Sequence, residues 1–184
     1  MDSLREKLLE SETKFNGNIL SVKVDQIELP DGTRSEREIV EHPGGVTVIP
    51  YTSEGKIVMV EQYRHAAEQV MLELPAGRLE KGEKAEVGGR RELKEETGYS
   101  AGEMIYLFDF YTTPGYSSEC LNLYLAKKLT RGDQQLEKGE FLTIKEIDPG
   151  EIMDLILSGK IKDSKTIIGL MAFLQQEKNG GFDG

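Results

Sequence analysis

One run constrains this chain more than any other feature in it. Residues 77–99 start at a glycine turn, continue as a helix-forming stretch, and place three glutamates on one flank before Gly98. Glu92 and Glu96 are four positions apart, and Glu95 lies within reach of both on a helix. Each like-charge helical pair costs roughly a few tenths of a kcal/mol in water. All three also sit in the last turns, where the helix dipole favours cations. A sequence that accepts both penalties points to a cation held by the carboxylates. Ligands that are all oxygen select a hard ion, Mg²⁺ or Mn²⁺, over zinc. The plain alternative is a solvated acidic helix face. Two neighbours argue against it: Gly77 follows a strand in a turn, and Arg91 stands four residues before Glu95, where it can orient that carboxylate.

Ala85, Gly89 and Leu93 form a separate stripe on the same run. Small residues there allow a helix to lie close to a sheet. Gly88 and Gly89 each cost about 1 kcal/mol relative to alanine in a helix, so close packing must compensate.

The rest of the chain reads as a mixed α/β arrangement. A short charged helix is expected over 2–14, then a hairpin of strands over 19–29 and 33–41 about the Pro30-Asp31-Gly32 turn. Strands follow over 46–51, 56–63 and 69–74, the last read as half-buried because Val70, Leu72 and Leu74 alternate with Met71 and Glu73. The helix spans about 83–97 and is closed by Gly98. Three more strands, over 104–111, 119–127 and 140–147, precede helices over 149–157 and 164–178, with Asp163 or Ser164 as N-cap of the second. Residues 1–43, an N-terminal helix and hairpin, are too few for their own core, so they must pack on the rest of the chain, a domain over 44–184, or on a second subunit.

Composition narrows the class. The chain has 184 residues, 38% hydrophobic and 30% charged, a soluble globular balance. No apolar run approaches the roughly 20 residues that span a bilayer. The opening MDSLREKLLE lacks the apolar stretch of a secretory signal, and Cys120 is the single cysteine, so a reducing, cytoplasmic setting is the expectation. Cys120 itself, in an apolar run, reads as a strand residue and not a nucleophile. A net charge of −10 argues against a nucleic-acid partner. A small anionic substrate is compatible with that charge if a metal or a few arginines receive it. His42 and His65 have no partner at metal-ligand spacing and are assigned to structure or surface.

The 77–99 segment resembles the Nudix box, G-x5-E-x7-R-E-U-x-E-E-x-G-U, where U is a bulky apolar residue. Gly77, Glu83, Arg91, Glu92, Leu93, Glu95, Glu96 and Gly98 match its fixed positions. Tyr99 is aromatic where the pattern ends on an apolar residue, and Gly88-Gly89 stand where alanines are more usual. The resemblance implies a Nudix α/β/α sandwich with a mixed sheet, here with the small N-terminal helix-hairpin appendage. It implies Glu92 and Glu96 as principal metal ligands, with Glu95 and the Ala76 backbone carbonyl as further ones. Glu83 and Arg91 brace the loop and helix. The implied reaction is metal-dependent hydrolysis of a diphosphate linkage, with Mg²⁺ the expected ion and Mn²⁺ the alternative.

Features outside the box resemble the ADP-ribose pyrophosphatase branch of that family. They are Glu73-Leu74-Pro75-Ala76-Gly77, Glu61-Gln62-Tyr63-Arg64, the stretch from Arg37 to Gly44, and Pro114, sixteen positions after Gly98 within Tyr111-Thr112-Thr113-Pro114-Gly115. The branch implies a homodimer built through the N-terminal hairpin. It implies Arg64, Arg37 and Pro114 as substrate-binding residues, Arg64 as the fork on the diphosphate. It also implies a general base from the loop before a late strand, where Glu140 is the first candidate and Glu137 the second. The expected substrate is ADP-ribose, cut to AMP and ribose 5-phosphate. The alternatives are another nucleoside diphosphate sugar such as GDP-mannose, or a nucleotide-binding module that does not cut.

Overall fold

The computed structural model describes residues 2–181. The chain forms two compact units, Met1–Gly44 with Tyr111–Cys120, and Gly45–Phe110 with Leu121–Gly184.

The first unit is built on an antiparallel sheet in the order β1-β2-β3: β1 (Lys7–Asn16), β2 (Ser21–Glu28) and β3 (Arg34–Glu41). The hairpin expected about residues 30–32 is present. Gly32 adopts φ 83°, and Asp31 Oδ1 accepts from the Thr33 N–H at 2.9 Å and from its hydroxyl at 2.6 Å. The helix expected over 2–14 is not formed. A single 3-10 turn, Asp2–Leu4, is followed by β1, which pairs along its length with β2 from Lys7↔Glu28 to Asn16↔Ser21. Helix propensities of Lys, Leu and Glu differ from those of strand formers by only a few tenths of a kcal/mol per residue. A ladder to a strand more distant in sequence overrides them, helped by Thr13 and Phe15. Two register shifts, at Leu8/Glu10 and Thr13/Phe15, mark bulges in β1. Ile27 is the one buried hydrophobic residue among the described residues of this unit, and Leu8, Phe15 and Ile19 are more than half exposed. The segment 111–120 joins it through Val40 N–H to Tyr116 O (2.7 Å) and Ser118 N–H to Val40 O (3.0 Å).

The second unit holds two further sheets. One has the order β10-β5-β6, from β5 (Ile57–Arg64), β6 (Gln69–Glu73) and β10 (Leu142–Ile147). The other has the order β7-β4-β9-β8, from β4 (Gly45–Pro50), β7 (Ala76–Arg78), β8 (Tyr99–Tyr111) and β9 (Cys120–Arg131). β4 runs parallel to β9 and antiparallel to β7, so the arrangement is mixed. β4 is buried at every position, and its alternation divides the core. Val46 and Val48 pack with Leu93 of α1 (Ala85–Thr97). Ile49 packs with Leu123 and Leu125 of β9, Ile152 of α2 (Ile152–Leu157), and Leu170 and Phe173 of α3 (Ser164–Lys178). Helices therefore cover both faces, the expected α/β/α sandwich.

The small-residue stripe does what its composition suggested. A Cβ on Gly89 would stand 3.1 Å from Val46 Cγ2 and Met104 Cε and 3.3 Å from Val48 Cγ2. Gly89→Leu therefore overpacks this interface. Its expected cost is about 1–3 kcal/mol, more than the ~1 kcal/mol of helix propensity it recovers. The check is the urea midpoint, which should fall; an unchanged or raised midpoint would show that α1 can move off the sheet.

Two local expectations are corrected. Gly77, read as lying in a turn after a strand, falls within the short strand β7, Ala76–Arg78. The alternation expected over 69–74 holds only in part: Leu74 is buried at 1% and Leu72 half-buried, but Val70 is 63% exposed and Glu73 is buried at 1%.

Candidate active site

Gly98, at φ 74°, ends α1 in the left-handed conformation, and its N–H bonds Lys94 O. A Cβ there would meet Gly132 O at 2.5 Å, so glycine is needed for conformation and for space. That close approach seats the loop after β9 on the helix end. Gly132 N–H bonds Gly98 O at 2.9 Å, Gln135 N–H bonds Glu95 O at 2.9 Å, and Gln134 Nε2 bonds Glu96 O at 2.5 Å. The last carbonyls of α1 are thus satisfied by the loop that goes on to Glu137 and Glu140.

The three helix glutamates fall into different surroundings. Glu96 is buried at 5% exposure, and its Oε2 accepts from the Ala76 N–H at 3.1 Å. Glu92 lies against Gly77, where a Cβ would stand 2.0 Å from Glu92 Oε1. The glycine at this turn is therefore a cradle for the carboxylate. Glu95 is turned to Arg91, whose Nη1 donates to Glu95 Oε2 at 3.1 Å and to Glu92 Oε1 at 2.8 Å. The other donors of Arg91 reach Glu83 Oε1 and Oε2, both at 3.0 Å, and Arg78 O at 3.1 Å. Glu83 Oε2 also accepts from Glu80 N–H at 3.0 Å, and Gly88 leaves it room. All five guanidinium donors are engaged, fastening loop to helix and aiming two carboxylates.

Electrostatics set the site apart. Burial, then the charges of Glu92 and Glu140, push the Glu96 carboxyl up to about 8. Burial is also the main cause that pushes Glu92 up, with Glu95 and Glu140 adding to it against the pull of Arg91. Glu140 thus acts on both carboxylates at the end of α1. It is half-buried, its Oε2 accepts from Glu137 N–H at 3.0 Å, and Gly139 turns the loop at φ 99°. Glu137 is exposed and contributes its backbone to holding Glu140.

A divalent cation fits this chemistry. The donors are all oxygen, two of the carboxylates resist ionising without a positive charge, and Gly77 keeps the space beside Glu92 clear. Among the described residues, no three His, Cys, Asp or Glu side chains already stand at metal-binding spacing. Arg91 instead holds Glu92 and Glu95.

A pH prediction follows for protein in EDTA. The folded state holds a proton on Glu96 to about pH 8, against an ordinary value of 4.5. Between these values the folded state binds more protons than the unfolded one, so stability falls as pH rises. Glu73 and Glu83, held below the ordinary value, finish titrating beneath this window. Tm should decline from about pH 5 to 8, and Glu96→Gln should flatten the decline. A wild-type Tm that rises over that interval contradicts the environment assigned to Glu96.

Arg64, at the end of β5, is not a loose surface arginine. Its Nε and Nη2 each donate at 2.8 Å to the two oxygens of Glu73. Its Nη1 has no partner among the described residues, and its side chain is 42% exposed. Its charge and that of Glu96 act on one another. Arg37 and Pro114 belong to the first unit. Arg37, on β3, is tied to Glu6, Ser35 and the Glu36 carbonyl. Pro114 lies in the exposed turn where Thr113 O accepts from Tyr116 and Ser117. His42, read as structural, stands beside Glu119 and accepts from Gly44 N–H at 3.2 Å. Glu73 and Lys165 were missed as members of the site region. The available signal was a glutamate following the apolar run Val70-Met71-Leu72.

The NUDIX domain model matches residues 41–167, and the model for the nucleoside diphosphate sugar hydrolase N-terminal domain matches residues 6–51. The chain belongs to the Nudix family, whose hydrolases generally depend on divalent metal ions. Among individual relatives it is 45% identical over 174 residues to a protein of Bacillus methanolicus named methanol dehydrogenase activator, covering 94% of each chain. It is 42% identical over 168 residues to the ADP-ribose pyrophosphatase of Bacillus subtilis, covering 90% of this chain and 91% of that one. A crystal structure of an ADP compounds hydrolase superposes with TM-score 0.85 at 22% identity, covering 96% of each chain, which shows the fold. No helix among the described residues is long and apolar enough to cross a membrane.

Proposed function

We propose that this chain hydrolyses ADP-ribose to AMP and ribose 5-phosphate with Mg²⁺, or Mn²⁺ in its place, and works as a homodimer in the cytoplasm. The observation that carries the reading is the carboxylate cluster at the end of α1, where Glu140 acts on Glu92 and Glu96. The likeness to the Bacillus subtilis ADP-ribose pyrophosphatase over nine-tenths of the chain supports the substrate.

Glu92 and Glu96 hold the metal, with Glu95 and the Ala76 carbonyl completing the set. When bound, the ion supplies positive charge to the diphosphate oxygens and acidifies the attacking water. Arg64 offers Nη1 to a phosphate oxygen, and its planar fork fixes the direction of that contact. Glu140 accepts the proton of the water as its oxygen bonds to one phosphorus. The bridging P–O bond breaks, and the two phosphate monoesters leave. Glu137 holds the loop through its backbone N–H.

The dimer accounts for the thin core of the first unit, whose exposed Leu8, Phe15 and Ile19 a second copy would cover. In that assembly Arg37 serves the substrate bound by the partner subunit. Light scattering should give twice the mass of the chain.

The substrate is tested by kcat/KM with Mg²⁺ on ADP-ribose, GDP-mannose, NADH, FAD and a nucleoside triphosphate. ADP-ribose should exceed the others by about tenfold or more, a difference of roughly 1.4 kcal/mol in transition-state binding. A faster GDP-mannose reaction would move the assignment to another sugar nucleotide. No turnover of any compound would move it to a nucleotide-binding module.

A further inference from the structure

Glu73 is buried and charged in a unit whose other buried strand residues are mostly apolar. Isolated, such a carboxylate would be costly. Here its two oxygens take the Arg64 fork at 2.8 Å each, and Lys165 Nζ is a third donor to the carboxylate, at Oε2. Lys165 also bonds Asp163 at 2.9 Å, and Asp163 caps α3 through Thr166 N–H at 3.0 Å. Four alternating charges therefore run from the start of α3 to the end of β5.

The backbone that carries Glu73 is held at successive positions. Leu74 N–H donates to Thr166 Oγ1 at 2.9 Å, Pro75 O accepts from Val48 N–H at 2.9 Å, and Ala76 N–H donates to Glu96 at 3.1 Å. The segment 73–76 thus grips Arg64 at one end and the carboxylate of Glu96 at the other. An arginine at a strand end ordinarily has several rotamers. This one is fixed at two of its nitrogens, while Nη1 keeps its donors.

We infer that Glu73 is a positioning residue: it sets the Arg64 guanidinium at a fixed offset from Glu96, so that one arginine edge and the carboxylate site meet the same diphosphate. The inference rests on the reading of Arg64 as a diphosphate ligand, and the test separates the two.

Glu73→Gln, Arg64→Ala and the double variant are compared by kinetics on ADP-ribose with saturating Mg²⁺. Misplacing a binding group by a fraction of an ångström predicts a KM about tenfold higher for Glu73→Gln, with kcat within about twofold. Arg64→Ala should raise KM by at least as much. In the double variant the Glu73 effect should vanish, because the arginine it positions is gone. A merely structural Glu73 would lower Tm in both backgrounds and leave KM alone, and that outcome overturns the inference. An unchanged KM in Arg64→Ala overturns the ligand reading of Arg64, and the inference with it. A raised KM there with an unchanged KM in Glu73→Gln overturns the positioning role alone. If Glu73→Gln does not fold, Arg64→Lys decides, since it keeps the charge and loses the two-point grip. A KM about tenfold higher supports the inference, and a KM within about twofold of wild type overturns it.

Discussion

Glu96→Gln should lower kcat on ADP-ribose by about 10³-fold or more. A metal contributes several kcal/mol of charge stabilisation to a phosphoryl transition state, and each ~1.4 kcal/mol is tenfold in rate. Glu96 is the most buried of the three helix glutamates and the one pushed furthest from its ordinary behaviour. Glutamine preserves its shape and removes the charge that a cation would need. In EDTA the variant should be at least as stable as wild type near pH 8, because it no longer buries a carboxylate that resists ionising. The increase in Tm on adding Mg²⁺, which follows ligand binding to the folded state, should be lost or much reduced. Activity within tenfold of wild type would remove Glu96 from the metal set.

Glu140→Gln should lower kcat on the order of 10²-fold or more, as loss of a general base does. The signature separating it from Glu96→Gln is that the Mg²⁺-induced Tm increase survives. Its own side chain is held by the loop, through Glu137 N–H, and not by the helix. Glu137→Gln should cost far less, because Glu137 contributes its backbone to this arrangement and its side chain is exposed. Full activity in Glu140→Gln with a large loss in Glu137→Gln would exchange the two roles.

The helix and its glutamates were legible because they break local rules that a plain acidic helix would obey. Like charges sit together at the wrong end of the dipole, and glycines occupy a helix that must then pack closely. The neighbours of Gly89 and the cradle of Gly77 supply the compensation. What stayed hidden depends on partners distant in sequence. The strand β1 resembles a helix until β2 is available to pair with it. Glu73 looks like the outward residue of a half-buried strand, and its burial makes sense only with Lys165, brought from the start of α3. Glu140 could be placed only within a loop from the sequence. The contacts of Gly132, Gln134 and Gln135 with the end of α1 bring that loop to the site, and no periodic pattern encodes them.

The most direct test of the account is product analysis of ADP-ribose incubated with wild-type protein and with Glu96→Gln, each with Mg²⁺ and with EDTA. The account predicts AMP and ribose 5-phosphate in equal amounts from wild type with Mg²⁺, and almost none under the other three conditions. Intact ADP-ribose in all four, or equal product from wild type and Glu96→Gln, would contradict it.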